Sequence, residues 1–89
     1  MIRKRVVVHG RVQGVFFRDT ARRMAESRGV AGWVRNREDG AVEAEFEGEP
    51  GAVEAMVRFA REGPRGAAVE RLEVSDVAPE GSSGFSVQG

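Results

Sequence analysis

A strict alternation of apolar and acidic side chains in the middle of the chain constrains its fold most. The alternation runs from Ala41 to Glu47. Its apolar members are Val42, Ala44 and Phe46, and its acidic members are Glu43, Glu45 and Glu47. Successive side chains of a β-strand point to opposite faces of the sheet. The pattern therefore predicts a strand in a sheet that has one face on a core and the other face in water.

The segments on either side of this strand alternate between strand-like and helix-like patterns. A valine run at residues 6–8 is typical of a buried strand. Apolar residues at helical spacing begin near Phe17 and again after Pro50, and we expect Gly29 and Gly63 to end the two helices. The predicted strands cover about residues 5–12, 30–36, 41–47 and 69–77, and a short edge strand covers 85–87.

The order β-α-β-β-α-β predicts an α+β fold of the ferredoxin-like, or split β-α-β, type. We expect a four-stranded antiparallel sheet with both helices on one face and a short extra strand at the C-terminal edge. The first and third strands are central in this arrangement. The loop after the first strand and the end of the second strand, at Asn36, then lie at neighbouring edges of the sheet.

Length and composition limit the classes of protein to consider. The 89 residues make one small domain, residues 1–89, and the chain has no cysteine. It therefore has no disulfide, no thiolate nucleophile and no cysteine-based metal site. The first apolar run is broken by His9 and Arg11, too early for a signal peptide or a membrane span. We expect a cytoplasmic protein that does not bind membranes.

The charges are distributed unevenly along the chain, although their sum is zero. Residues 1–37 contain ten Arg or Lys and two acids, whereas residues 38–89 contain four and twelve, so the two parts carry +8 and −8. Either neighbouring strands of opposite charge cover each other, or the basic part forms an electropositive loop region. The sequence pI of about 6.6 disfavours nucleic-acid binding.

A glycine-containing turn joins the first strand to the first helix, from Gly10 to Arg18. The turn presents backbone N–H groups at a helix N-terminus, where they have no intrahelical partner and the helix dipole is positive. Gly14 allows a positive φ angle, and the Arg18 guanidinium can donate to two oxygens of one anion. These features predict a site for a phosphoryl group.

Four short motifs together resemble those of the acylphosphatase family. They are Gly10-Arg-Val-Gln-Gly-Val-Phe-Phe-Arg18, Gly32-Trp-Val-Arg-Asn36, Asp39-Gly40 and Glu47-Gly48. The resemblance spans nearly the whole chain and includes the order of the elements. It implies a ferredoxin-like fold and an enzyme that hydrolyses the carboxyl-phosphate bond of acyl phosphates without a metal or another cofactor.

The resemblance also assigns roles to individual residues. It implies that Arg18 binds the phosphate, that Asn36 positions the attacking water, and that backbone groups of the 13–18 loop donate to the substrate. The loop residues are Gln13, Gly14, Val15, Phe16, Phe17 and Arg18. The implied partners are a small acyl phosphate and inorganic phosphate, with no nucleic acid, and the chain is expected to be a monomer.

Several side chains near the motifs have a structural interpretation. We interpret Trp33 and the pair Phe16-Phe17 as packing residues, of which one could border the acyl group. Asp19 has Arg18 and its neighbours on the helix as possible ion-pair partners, and it is expected at most to support the site. The sequence assigns no role to His9, the only histidine in the chain.

Two alternatives to an enzyme stay open. The first is a non-hydrolytic anion-binding or regulatory module of the same fold, resembling the acylphosphatase-like domains of larger carbamoyl-transfer proteins. The second is an RNA-binding module, which would need exposed aromatic side chains on its sheet. The third and fourth predicted strands lack such a pattern.

Overall fold

Seven elements follow one another in the predicted order in a computed structural model that describes residues 1–89. The strands are β1 (Ile2–Arg11), β2 (Ala31–Asn36), β3 (Val42–Gly48), β4 (Ala68–Val77) and β5 (Phe85–Gln88). The helices are α1 (Phe17–Arg28) and α2 (Pro50–Glu62). Gly29 and Gly63 stand at the C-terminal ends of α1 and α2, as predicted.

All five strands form one sheet in the order β4-β1-β3-β2-β5. The first four strands are antiparallel to their neighbours, with β1 and β3 at the centre. The edge strand β5 pairs with β2 in parallel. The ferredoxin-like prediction is confirmed, including the short extra strand, although the sequence did not indicate which strand β5 joins.

Both helices pack on the same face of the sheet. Sixteen of the twenty buried apolar residues form one hydrophobic cluster, which has members from both helices and from the sheet. Its members from β1 and β3 include Val6, Val8, Val42, Ala44 and Phe46, and its members from the helices include Phe17, Ala21, Ala25, Val53, Met56 and Ala60. The apolar side of the β3 alternation therefore faces the core, as predicted.

The acidic side of β3 is not in water, and this part of the prediction is wrong. Glu43 is only 1% exposed and Glu47 only 4%, although no helix covers this face. Arginine side chains from the flanking strands lie over the carboxylates instead. Long arginine side chains can cover a surface with their methylene groups while the guanidinium binds a carboxylate. They replace the water that the alternation alone predicts.

The arginines on the open face come from β1 and β2, on the two sides of β3. Arg35 donates to Glu43 at 2.9 and 2.6 Å, and Arg5 forms an ion pair with the same carboxylate. Arg3 donates to Glu45 at 2.6 Å and to Glu47 at 2.9 Å. Neighbouring strands of opposite charge thus cover each other, which was one of the two explanations for the uneven charge distribution.

The strand register places two chain segments at the same end of the sheet. Val42 of β3 pairs with Val8 of β1 on one side and with Asn36 of β2 on the other. Since β1 and β2 are both antiparallel to β3, their C-terminal ends point in the same direction. Only β3 lies between them, and adjacent strands are about 4.8 Å apart, so the loop that follows β1 emerges about two strand spacings from Asn36.

Candidate active site

The first turn of α1 has free backbone donors. The residue before the helix, Phe16, has φ 62° and ψ 25°, and no side chain caps the helix. The Thr20 N–H donates to the Phe16 carbonyl at 3.0 Å, but the N–H groups of residues 16–19 donate to no acceptor in the chain. These groups lie at the positive end of the helix dipole, where an anion is stabilised.

The loop that leads into the helix is curled by left-handed backbone conformations. Gly14 has φ 74°, and a side chain added there would meet nothing within 4 Å. Phe16 is the only residue other than glycine with a positive φ. Such a conformation is strained for a bulky side chain and is typical of functional sites.

The side chain of Gln13 connects this loop to the turn between β2 and β3. Its amide nitrogen Nε2 donates to the Arg37 carbonyl at 2.8 Å and to the Ala41 carbonyl at 3.0 Å. The sequence placed Gln13 only among the backbone donors and missed this role. An amide side chain can donate two hydrogen bonds, and here both fix the hairpin that begins directly after Asn36.

The hairpin turn itself is held by Asp39. Its Oδ1 atom accepts from the Ala41 N–H at 3.1 Å, and its Oδ2 atom accepts from Arg37 at 3.0 Å. The Ala41 N–H, followed by the charge of Arg37, holds the pKa of Asp39 below its usual value. Asp39 is therefore ionised at neutral pH and maintains the turn that positions the end of β2.

One open pocket of about 500 Å³ contains both residues expected to carry the chemistry. Its lining residues are Val12, Gly14, Phe16, Phe17, Arg18, Asp19, Arg22, Asn36 and Val87. Among the predicted site residues, Gln13 and Val15 do not line it. The sequence did not predict Val12, Arg22 or Val87, and Val87 reaches the pocket only because β5 joins β2.

Arg18 pairs with no Asp or Glu side chain, unlike Arg22 and Arg23 of the same helix. Asp19 pairs with Arg22 at 3.0 Å and with Arg23 at 3.2 Å, rather than with Arg18. The Arg18 Nη1 atom donates to a main-chain oxygen of Gly89, the last residue of the sequence, at 3.0 Å. The other nitrogens of the Arg18 guanidinium make no hydrogen bond within the chain, so they can donate to an anion in the pocket.

The remaining aromatic and histidine side chains near the motifs differ in their burial and in their distance from the pocket. Phe17 is buried, with its ring 5.2 Å from that of Phe59, so the packing interpretation holds for it. That interpretation is wrong for Phe16, which is exposed. Trp33 lies outside the pocket, beneath the guanidinium of Arg35 at 5.8 Å. His9 contacts Glu73 at 2.6 Å, also outside the pocket.

Neither α1 nor α2 has the length and the apolar character needed to span a membrane.

Comparisons with family models and with known proteins identify the same family. The family model described as Acylphosphatase matches residues 4–87. An acylphosphatase of Rubrobacter xylanophilus is 59% identical over 87 residues, covering 97% of this chain and 79% of the relative. One of Gloeobacter violaceus is 51% identical over 86 residues, covering 97% and 92%.

Solved structures agree with the sequence comparisons. The crystal structure of acylphosphatase from Bacillus subtilis matches with a TM-score of 0.94 and 38% identity, over 100% of both chains. The structure of HypF from T. kodakarensis matches with a TM-score of 0.84 and 28% identity, over all of this chain but only 12% of that one. The matching family model and the close relatives together show that the chain belongs to the acylphosphatase family.

Proposed function

We propose that Arg18, the backbone of the 13–18 loop and Asn36 carry out the acylphosphatase activity that this chain shares with its family. The observation that supports these roles most directly is the composition of one pocket. It contains an arginine that pairs with no Asp or Glu side chain, a helix N-terminus with free N–H groups, and the amide of Asn36. The substrate class is a small molecule in which a carboxyl group is joined to phosphate.

The phosphate binds at the N-terminus of α1. Its oxygens accept hydrogen bonds from the free N–H groups of residues 16–19 and from the guanidinium of Arg18. These donors are fixed in place before substrate arrives, so little reorganisation is needed when charge on the equatorial oxygens changes in the transition state. The planar guanidinium can contact two of those oxygens together.

The attacking water binds to Asn36. The amide of Asn36 offers one acceptor oxygen and two N–H donors. Its oxygen accepts a hydrogen bond from the water, which leaves a lone pair of the water directed at phosphorus, while its N–H group donates to a phosphate oxygen. An in-line reaction requires the water and the leaving carboxyl oxygen on opposite sides of phosphorus. Asn36 thereby also sets the direction in which the acyl group points.

The reaction balances without an acid or base from the protein. The water oxygen forms a bond to phosphorus, and the bond between phosphorus and the carboxyl oxygen breaks, with its electron pair leaving on the carboxylate. A proton of the water passes to a phosphate oxygen, so the products are a carboxylate and dihydrogen phosphate. A carboxylate is a good leaving group because its conjugate acid has a pKa of about 4, and no general acid is needed.

The test measures hydrolysis of benzoyl phosphate by the purified chain after treatment with EDTA. Asn36→Ala, purified identically, controls for contaminating phosphatases. We expect turnover by the parent and a loss of about 100-fold or more in kcat for Asn36→Ala, which is the usual size of such an effect for one positioned hydrogen-bonding group. Full activity of Asn36→Ala would contradict its role, and activity that EDTA abolishes would contradict the metal-free mechanism.

A second candidate is an anion-binding module without hydrolytic activity. It is favoured by one observation, the similarity of this chain to 12% of the much longer HypF chain. The benzoyl phosphate assay separates the two candidates. No turnover by the parent, together with measurable binding of inorganic phosphate by calorimetry, would support the module.

A further inference from the structure

Two exposed apolar side chains border the pocket at the helix N-terminus, Phe16 from the loop and Val87 from β5. Phe16 is 80% exposed and Val87 is 42% exposed, and both line the pocket that contains Arg18 and Asn36. The other exposed large apolar side chains of the chain, Met1 and Val74, do not line it. Exposed apolar surface at a binding pocket favours an apolar ligand group.

Folding does not explain a phenylalanine at position 16. The backbone there has φ 62°, which glycine or asparagine adopts at a lower cost than an aromatic residue. The ring also stays in water, so it contributes no burial to the core. The next residue is different, since Phe17 is 3% exposed and packs against Phe59. The position of the Phe16 ring is explained by the pocket that it lines.

The charged residues of the same lining do not favour a second anionic group on the substrate. Arg22 is neutralised by Asp19 at 3.0 Å and by Glu26 at 3.4 Å. Asp19 is bound by Arg23 as well, at 3.2 Å. The other cation of the lining, Arg18, pairs with no Asp or Glu side chain, but the phosphate occupies it in the proposed mechanism.

We infer that Phe16 and Val87 contact the acyl group and select acyl phosphates whose acyl group is uncharged and apolar, with aromatic groups preferred. This inference depends on the proposed function. The N–H group of Phe16 is among the phosphate donors, so its ring belongs to a residue that contacts the bound phosphoryl group. The acyl group leaves on the side of phosphorus away from the water on Asn36 and extends along the side chains of Phe16 and Val87. Aromatic acyl groups gain the most binding free energy, because an aromatic pair contributes more than the burial of its apolar surface alone.

The first test compares kcat/KM for benzoyl phosphate with kcat/KM for acetyl phosphate in each variant. The ratio cancels any change in phosphate binding that both substrates share. Phe16→Asn removes the ring but keeps a residue that tolerates positive φ, and Phe16→Leu keeps an apolar side chain. We expect the ratio to fall about 3- to 10-fold in Phe16→Asn and less in Phe16→Leu.

Val87→Ser and Val74→Ser form a matched pair. The two valines are 42% and 41% exposed in edge strands on opposite sides of the sheet, but only Val87 lines the pocket. We expect the benzoyl-to-acetyl ratio to fall in Val87→Ser and to stay at the parent value in Val74→Ser. An equal change in both variants would overturn the role of Val87.

The second test measures how a charge on the acyl group affects kcat/KM, with two acyl phosphates of equal chain length. Butyryl phosphate ends in a methyl group and succinyl phosphate in a carboxylate. We expect the parent to have the higher kcat/KM for butyryl phosphate, and the opposite preference would overturn the inference.

The outcomes also separate this inference from the proposed function. If the parent hydrolyses acyl phosphates but Phe16→Asn lowers benzoyl and acetyl phosphate turnover in equal proportion, or changes neither, only the inference is overturned. If the parent hydrolyses none of the substrates, the proposed function is overturned and the inference with it.

Discussion

The side-chain amide of Gln13 donates to the backbone carbonyl of Arg37 at 2.8 Å, across the gap between the loop after β1 and the turn after β2. The same nitrogen donates to the Ala41 carbonyl at 3.0 Å. Arg18 lies five residues after Gln13, and Asn36 directly precedes Arg37. One side chain therefore links the segment that provides the phosphate donors to the segment that provides Asn36.

Gln13→Ala is expected to lower kcat about tenfold while KM and inhibition by phosphate change little. The substitution removes both donors, so the hairpin is no longer tied to the loop and Asn36 loses its alignment with phosphorus, and small misplacements of this kind are costly in rate. Stopped-flow or steady-state kinetics with benzoyl phosphate measures the effect. Gln88→Ala is the control, because Gln88 is exposed and its side chain makes no hydrogen bond. A tenfold weaker phosphate inhibition instead would indicate that Gln13 supports the phosphate donors.

Arg18→Ala is expected to weaken inhibition by inorganic phosphate by about 10- to 100-fold and to raise KM in parallel. A hydrogen bond to a charged group contributes about 1.5 to 3 kcal/mol, which corresponds to that range. Arg18→Lys should recover only part of the affinity, because an ammonium cannot contact two oxygens in the planar geometry of guanidinium.

Competitive inhibition by phosphate, measured at constant ionic strength, checks this prediction. The control is Arg58→Ala, which removes a positive charge from the exposed face of α2. Weakened inhibition in Arg58→Ala would show that the overall charge, rather than the contact of Arg18, governs phosphate binding. Small and equal effects of Arg18→Ala and Asn36→Ala would contradict the assignment of two separate roles.

The sequence predicted most of the fold because its signals are local. Each signal acts within a few residues: the valine run at residues 6–8, the helical spacing after Phe17, and the glycines after both helices. The structure has these elements within three residues of their predicted ends. The parallel pairing of β5 with β2 joins residues that lie far apart in the chain. No local pattern encodes such a pairing, so the contribution of Val87 to the pocket was not predictable.

The two wrong predictions share a physical cause. Alternation indicated that the acidic side of β3 lies in water, and aromatic character indicated that Phe16 packs. Both inferences predict the exposure of a residue from its own polarity alone. In the structure, Arg5 and Arg35 cover Glu43. Phe16 is exposed because the left-handed backbone turns its side chain out of the core. The partners that decide each outcome lie on other strands or in the loop geometry.

Glu43→Gln is expected to lower the free energy of unfolding by about 1 to 3 kcal/mol. The neutral amide has nearly the same size, but it loses the charge that Arg5 and Arg35 bind, on a side chain that is buried. The cost of removing a charged hydrogen-bond partner is reduced here because both arginines reach water. Urea unfolding followed by circular dichroism measures the change. Glu70→Gln, on the exposed surface of β4, is the control, and equal stability of the two variants would show that the ion pairs of Glu43 contribute nothing.

The carboxylates of the open sheet face also determine how stability depends on pH. Burial of Glu43 alone would raise its pKa, but the hydrogen bonds from Arg35 and Arg5 outweigh burial and hold the pKa below its usual value. The Glu80 N–H, followed by Arg3, holds the pKa of Glu47 below its usual value. Both groups therefore bind a proton less readily in the folded chain than in the unfolded chain.

The free energy of unfolding is expected to be nearly constant from pH 7 to about pH 5 and to decrease as the pH falls further. A group whose pKa is depressed by folding contributes its full stabilisation above its unfolded pKa of about 4.3, and this stabilisation is lost as the pH falls through the folded value. Urea unfolding between pH 7 and pH 3 tests the prediction. In the double variant Glu43→Gln/Glu47→Gln, the free energy of unfolding should decrease less with falling pH than in the parent, because two carboxyl groups whose pKa is lowered by folding are gone. Glu70→Gln should follow the parent. An acid dependence of the double variant as steep as that of the parent would assign the loss of stability to carboxylates other than Glu43 and Glu47.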